Sequence, residues 1–308
     1  MGEHMNNKRG FVTLATGDIR YYIMAVNLLH SYRLNSDNSV PFAIIAEEKN
    51  EYTEEFDLTV IIDNASHTYM DKIRMLQLCP FEENIFIDAD CLVYRNINDL
   101  WQLFNERIGV LSAVGEELPL DSEDGWFKRD DVGEFSEKLS YIPHLHGGMY
   151  FIRKKPELEK IVATCKTITE QYHKYRFKMF NDPADEPIIA LAMASNNLAM
   201  IPYQPDIMCF YPSATYFQSD IRNGTAQYLL PWNENLQKGY IVHWANFNTK
   251  RAMYKTEILR MNYSLGKNRH SELYVNLYYC FLTGIEKTKD SLFQLKNRTK
   301  SLLSKKHK

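Results

Sequence analysis

Residues 84–93, Asn-Ile-Phe-Ile-Asp-Ala-Asp-Cys-Leu-Val, set two carboxylates one residue apart inside an apolar run. Ile85, Phe86 and Ile87 favour extended backbone, and a short continuous apolar run reads as a strand buried in a parallel sheet. Asp88 and Asp90 then fall where that strand ends, at the carboxyl edge of the sheet, where open α/β sheets bind ligands. A competing reading makes them an exposed turn in which one aspartate caps the next element, since Asp is common in turns. The apolar residues on both sides, Leu92 and Val93 included, weigh against it. Charges wedged into such a segment are costly unless something pairs with them. A divalent cation meets that need: hard carboxylate oxygens suit Mg²⁺ or Mn²⁺, and a diphosphate can fill the open coordination positions.

A chain of 308 residues has room for one large α/β domain or two smaller ones, and 45% apolar with 24% charged residues is ordinary for a folded soluble protein. The charge is uneven. Residues 287–308 hold eight lysines and arginines against Asp290 alone, a net of +7 in a chain totalling −3, so the body carries −10. A basic tail on an acidic body points to an anionic surface partner for the tail only, and the acidic body argues against nucleic acid. Cys79, Cys91, Cys165, Cys209 and Cys280 are odd in number and scattered, with no zinc-ligand spacing. That favours a reduced, cytoplasmic setting over a disulfide framework. No signal peptide and no apolar run long enough to span a bilayer is apparent.

In chain order, Phe11–Thr16 reads as the first strand, Gly17-Asp18 as its turn, and the residues from Ile23 to Leu29 as a helix on the sheet. Pro41–Ala46 and Leu58–Asp63 are further strands. Alternating strands and helices imply an α/β fold with a Rossmann-like, mostly parallel sheet flanked by helices. The first turn lacks G-x-G-x-x-G and there is no Walker lysine loop, which disfavours dinucleotide dehydrogenases and P-loop enzymes. Asn96–Trp101 offers capping choices ahead of a short helix, and Ile108–Val114 is another strand. Residues 115–140 form a long polar loop in which Trp126 and Phe127 either stack on a sugar or anchor the loop. A strand from His144 to Ile152 is entered through Gly147-Gly148, a pair that allows close approach of a ligand or makes a plain tight turn. Helices follow over about 156–175 and 188–193. Asp185 and Glu186 stand at the start of the second, where the macrodipole favours carboxylates whatever their function. Gly239–Trp244 is a late strand carrying His243, a placement more often structural than ligating.

The order and spacing of these motifs over residues 10–252 resemble family 8 glycosyltransferases of the GT-A fold, such as glycogenin and bacterial lipopolysaccharide galactosyl- and glucosyltransferases. The resemblance implies a uridine-binding turn at Thr13, Ala15, Thr16 and Asp18, with Tyr21, or Tyr22 as the alternative, stacking on uracil. It implies Asp63 near base and ribose, Lys72 on the donor, and Asp88-Ala89-Asp90 on metal and ribose. His146, Gly147 and Gly148 would face the acceptor, with Trp126 as a further sugar contact. Asp185-Glu186 matches the family's Asp-Gln beneath the anomeric carbon, and Glu186 in place of the amide can act as a nucleophile or stabilise an oxocarbenium ion. His243 would be the third metal ligand, and Lys250, followed by Arg251, the diphosphate clamp.

The expected activity is a metal-dependent, retaining transfer of a hexose from a UDP-sugar to a hydroxyl acceptor, a glycan or lipid-linked saccharide. Mn²⁺ suits a site with histidine beside carboxylates better than Mg²⁺ does. A sugar nucleotidyltransferase and a non-catalytic nucleotide- or carbohydrate-binding module are the rivals; the former calls for a glycine- and arginine-rich loop that Thr16–Arg20 does not provide. The expected organisation is a catalytic domain over 8–252 and a helical extension over 253–308. Within it, Glu272–Leu282 is an apolar helix packed on the body, and 287–308 is either an interfacial anchor for an anionic membrane or a solvated basic tail.

Overall fold

The structure, a computed structural model, describes residues 8–105, 108–268, 271 and 273–288. Its strands and helices run β1 (Arg9–Ala15), α1 (Ile19–Asn35), β2 (Phe42–Ala46), β3 (Leu58–Ile61), α2 (Met70–Leu78), β4 (Glu83–Ile87), β5 (Cys91–Val93), β6 (Leu111–Leu118) and β7 (Ile142–Arg153). They continue with α3 (Glu157–Glu170), α4 (Asp185–Ser195), β8 (Ile201–Pro202), β9 (Met208–Phe210), β10 (Tyr216–Asp220), β11 (Thr225–Leu230), β12 (Asn233–Lys238), β13 (Ile241–His243) and α5 (Ala252–Ser264). A further helix, α6, covers 273–288.

Seven strands form the central sheet in the order β3-β2-β1-β4-β7-β6-β8. The first four are mutually parallel, as their apolar runs and intervening helices predict. β7 is antiparallel to both β4 and β6, so the sheet is mixed at that side. Alternate residues feed opposite faces. Val12, Ala43, Ile45 and Phe86 pack under α2, α3 and α4, whereas Phe11, Ile44, Ile85 and Ile87 pack under α1. The long apolar helix α4 is buried along almost its whole length, which explains why it lacks a polar face.

Two small sheets lie outside the single sheet expected from sequence. β5, β13 and β9 form one, and β10, β11 and β12 the other. The first sets the aspartate segment beside His243, because Cys91 pairs with His243 in antiparallel register. A third core around Leu92, Tyr228, Trp244 and Tyr254 joins these sheets to α5. Glu257 of α5 is fully buried and accepts from the Ile221 N–H over 2.7 Å, so this helix is packed firmly on the body.

Helix α6 meets the body along one face: the Ala252 N–H donates to Glu286 over 2.6 Å, and Tyr279, Thr283 and Glu286 line a cavity with Tyr211, Phe247 and Met253. In α6 only Val275 is buried deeply, at 3% exposure, while Leu273, Leu277 and Phe281 are 62–69% exposed. Most of residues 287–308, the basic tail, lies outside the described residues.

Candidate active site

β4 ends at Ile87, and the next three residues turn across the carboxyl edge of the sheet. The turn is pinned from two sides: the Asp88 N–H donates to the Gly148 carbonyl over 3.0 Å, and the Trp244 N–H donates to the Asp90 carbonyl over 3.1 Å. Strands β7 and β13, distant in sequence, therefore fix both aspartates. His243 Nε2 lies 3.0 Å from Asp90 and 3.8 Å from Asp88. Burial works against the imidazolium, but the Asp90 carboxylate outweighs it and holds the His243 pKa above its usual value. The same partner keeps the Asp90 pKa low, whereas burial dominates at Asp88 and raises its pKa.

Lys72, in the first turn of α2, reaches the same edge. Its ammonium is 2.8 Å from Asp88 and 3.1 Å from Asp185. Burial alone would discharge it; the Asp185 and Asp88 carboxylates prevail and hold its pKa well above the ordinary range. Asp185 and Glu186 open α4, as their helix-start placement predicts. Glu186 Oε1 accepts from the Gly147 N–H over 2.6 Å. Burial, reinforced by the Asp185 charge, pushes the Glu186 carboxyl up to about 7.

His146 stacks edge-on against Phe210 and His243, with ring centroids 4.7 and 5.0 Å away. Its Nδ1 accepts from the Gly148 N–H over 3.0 Å, and burial pushes its pKa well down, so it is a neutral ring. The glycines are required by close approach. A Cβ on Gly147 would come within 2.5 Å of Glu186 Cγ, and one on Gly148 within 2.7 Å of His243 Nδ1. Both lie at the floor of the site.

At the first turn, Thr13 is fully buried with its hydroxyl unpartnered, Ala15 is buried, and Asp18 caps α1 by accepting from the Arg20 N–H. Tyr22 belongs to the core, which leaves Tyr21, half-buried against that core, as the more accessible ring. Its hydroxyl accepts from Asn246 over 3.1 Å, tying the first turn to the segment after His243. Asp63 is exposed beyond the end of β3, and it is Asp71 that the structure buries there, at 1% exposure. Asp71 accepts from the Thr16 hydroxyl, the Ser66 and His67 N–H groups and the Ser66 hydroxyl. Glu47 accepts from the Gly17 N–H and pairs with His67. Neither acid stood out in the sequence, because an isolated polar residue beside a strand or in a helix carries no motif.

Two expected residues are placed differently from the cluster. Trp126 donates its indole N–H to the Leu145 carbonyl over 3.2 Å and packs on Phe180, the anchoring alternative. Lys250 is exposed at the end of the 3-10 turn Asn246–Lys250. Ala245, just before that turn, takes φ 54° and ψ 139°, a conformation that favours glycine. Ala89 is buried between the aspartates.

The donor set suits a hard or borderline divalent cation. Asp90, Cys91 and His243 present ligand atoms all within 4.8 Å of one another. Without a cation, burial raises the Cys91 thiol pKa well above its ordinary value. The lysine ammonium on Asp88 is a stand-in cation at the adjoining carboxylate.

Fold and edge site together define the GT-A class of α/β architecture. Among solved structures, the chain is similar to the bifunctional glycosyltransferase WbbM without ligands, at a TM-score of 0.50 and 12% identity over 80% of this chain. That match spans 47% of the WbbM chain, about half its length. It is also similar to the galactosyltransferase LgtC in complex with donor and acceptor sugar analogues (TM-score 0.48, 13% identity, 86% of this chain and 98% of that one). Mouse xyloside xylosyltransferase 1 without ligands follows (0.47, 12%, 78% and 99%). No protein-family model and no curated protein matches the sequence.

Proposed function

We propose that this chain is a metal-dependent glycosyltransferase that moves a hexose from a UDP-sugar to a hydroxyl of a saccharide or lipid-linked saccharide, with retention. The observation that carries the reading is the meeting of two charged sets at one sheet edge: Asp88, Asp90 and His243 with Lys72, and Asp185 with Glu186. Mn²⁺ held by Asp88, Asp90 and His243 would neutralise the charge that grows on the departing diphosphate. Lys72 adds positive charge on that side, and Lys250 and Arg251, which follow His243 in sequence, would complete the diphosphate clamp. Glu186, fixed through Gly147, flanks the reacting carbon and must be ionised to act as nucleophile or to stabilise an oxocarbenium ion. Tyr21, steadied by Asn246, offers its ring to uracil.

The test is UDP release from UDP-glucose, UDP-galactose and their N-acetyl forms with Mn²⁺, followed by NMR of the product's anomeric proton. Turnover with a retained configuration supports the reading, and an inverted product removes the retaining mechanism. UDP binding without turnover on any donor favours a binding module, and formation of a UDP-sugar from a sugar phosphate favours a nucleotidyltransferase.

We propose in addition that the C-terminal region rests on an anionic bilayer at the cytoplasmic face. The exposed Leu273, Leu277 and Phe281 of α6, spaced four residues apart ahead of the +7 tail, support this. No described helix is long and apolar enough to cross a membrane.

A further inference from the structure

The Lys72 ammonium neutralises two buried carboxylates at once, Asp88 at 2.8 Å and Asp185 at 3.1 Å. A divalent cation on Asp88 would stand beside that ammonium, and like charges at such range repel strongly in a buried site. The flexible stem of lysine lets the ammonium withdraw toward a phosphate. Asp185, only 4% exposed, would then lose its cation. A buried carboxylate left without a partner is strongly disfavoured.

One donor is already at hand. Tyr150 lies on β7 two residues past Gly148, and its hydroxyl is buried with no hydrogen-bond partner. Its ring is stacked on Phe86, with centroids 6.1 Å apart at 28°, which restricts where the hydroxyl can go. The charged groups acting on that hydroxyl are Asp185, Lys72, Glu186 and Asp88. It lies 3.0 Å from the point a Cβ on Gly147 would occupy, and Glu186 Oε1 lies 2.8 Å from the same point. Asp185 Oδ2, the atom paired with Lys72, likewise accepts no hydrogen bond. A buried phenol without an acceptor costs stability, so the free protein holds a donor with nothing to receive it.

We propose that Tyr150 is a positioning residue whose hydroxyl donates to Asp185 once a cation on Asp88 displaces Lys72. The exchange keeps the Asp185-Glu186 turn in place when its first counter-ion leaves. It rests on the proposed cation site at Asp88, Asp90 and His243.

The test uses the full chain and Mn²⁺, with free ion followed by electron paramagnetic resonance in the presence of UDP, and thermal melting without either ligand. Tyr150→Phe removes the hydroxyl alone. Its expected effects are an unchanged or raised melting midpoint for the free protein and a loss of about tenfold in Mn²⁺ affinity, the scale of one hydrogen bond to a charged group. Lys72→Met, which removes the competing ammonium, is expected to tighten Mn²⁺ binding in the absence of UDP. A lowered midpoint or an unchanged affinity in Tyr150→Phe overturns the role, as does weaker Mn²⁺ binding by Lys72→Met. If the wild-type chain binds no Mn²⁺ with or without UDP, the cation reading itself falls, a result distinct from the other three.

Discussion

The Gly147 N–H donates to Glu186 Oε1 over 2.6 Å, joining the glycine pair of β7 to the first turn of α4. The bond fixes a carboxyl group that burial and Asp185 hold near a pKa of about 7. Glu186 is therefore a group in the site whose charge changes within the physiological range.

That pKa has a sign for stability. A carboxyl raised from its ordinary 4.5 binds more protons folded than unfolded between the two values, so folding is favoured at low pH and loses stability as pH rises toward 7. Glu186→Gln keeps the acceptor for Gly147 and removes the charge. It is expected to raise the melting midpoint at pH 8 and to change it little at pH 4.5, with a ceiling of about 3 kcal/mol from the size of the shift. Calorimetry at the two pH values checks this.

Activity should follow the opposite limb. If ionised Glu186 is needed at the reacting carbon, kcat for UDP release rises with pH through an apparent pKa near that of Glu186, and Glu186→Gln removes that limb together with most of the turnover. Bound cation and donor move the midpoint, so the comparison is between wild type and variant profiles at saturating substrate.

Close packing at the glycines sets a steric prediction. Gly147→Ala would drive Glu186 Cγ, only 2.5 Å from the added carbon, off its position. The expected result is a stability loss of about 1–3 kcal/mol, typical of overpacking, and a drop in kcat of at least tenfold. Gly148→Ala, which meets His243 Nδ1 at 2.7 Å, should instead weaken Mn²⁺ binding. Titration of the metal distinguishes the two sites.

The bond from Asn246 to Tyr21, 3.1 Å long, joins the first turn to the segment after His243. Tyr21→Phe should raise the KM for the UDP-sugar several-fold with little change in kcat, since the ring remains and only its anchor is lost. Tyr21→Ala should cost more in KM.

Much of the fold could be read from residue order because the buried parallel strands are unbroken apolar runs, as in Phe42–Ala46 and Ile85–Ile87. The aspartates announced themselves by interrupting such a run. The small sheet β10-β11-β12 was not anticipated: strands such as Tyr216–Asp220 and Asn233–Lys238 are polar and partly exposed, and give no clear alternation. Tyr150 escaped notice for the converse reason. It lies within the apolar run of β7 and reads as core, and its place beside Asp185 depends on a helix that begins 35 residues later. Helix α6 was expected to pack because apolar side chains usually do, and one face of it does; that Leu277 and Phe281 fall on the other face becomes visible only when the body's surface is in place.

That exposed face yields a binding prediction. Co-sedimentation with vesicles containing anionic phospholipid should retain the full chain, lose it on replacing Leu277 and Phe281 with Ser, and weaken as salt rises. Equal sedimentation by wild type and a chain lacking residues 287–308 would assign no role to the tail.

The central claim is that Asp88, Asp90 and His243 hold one divalent cation against the diphosphate of a bound nucleotide. Anomalous diffraction at the manganese edge, from crystals soaked with Mn²⁺ and UDP, addresses it directly. The account predicts one peak within coordination distance of all three side chains and of the UDP phosphates, with Lys72 withdrawn from Asp88. UDP bound at another site, with Lys72 still on Asp88 and no peak at the sheet edge, would contradict it.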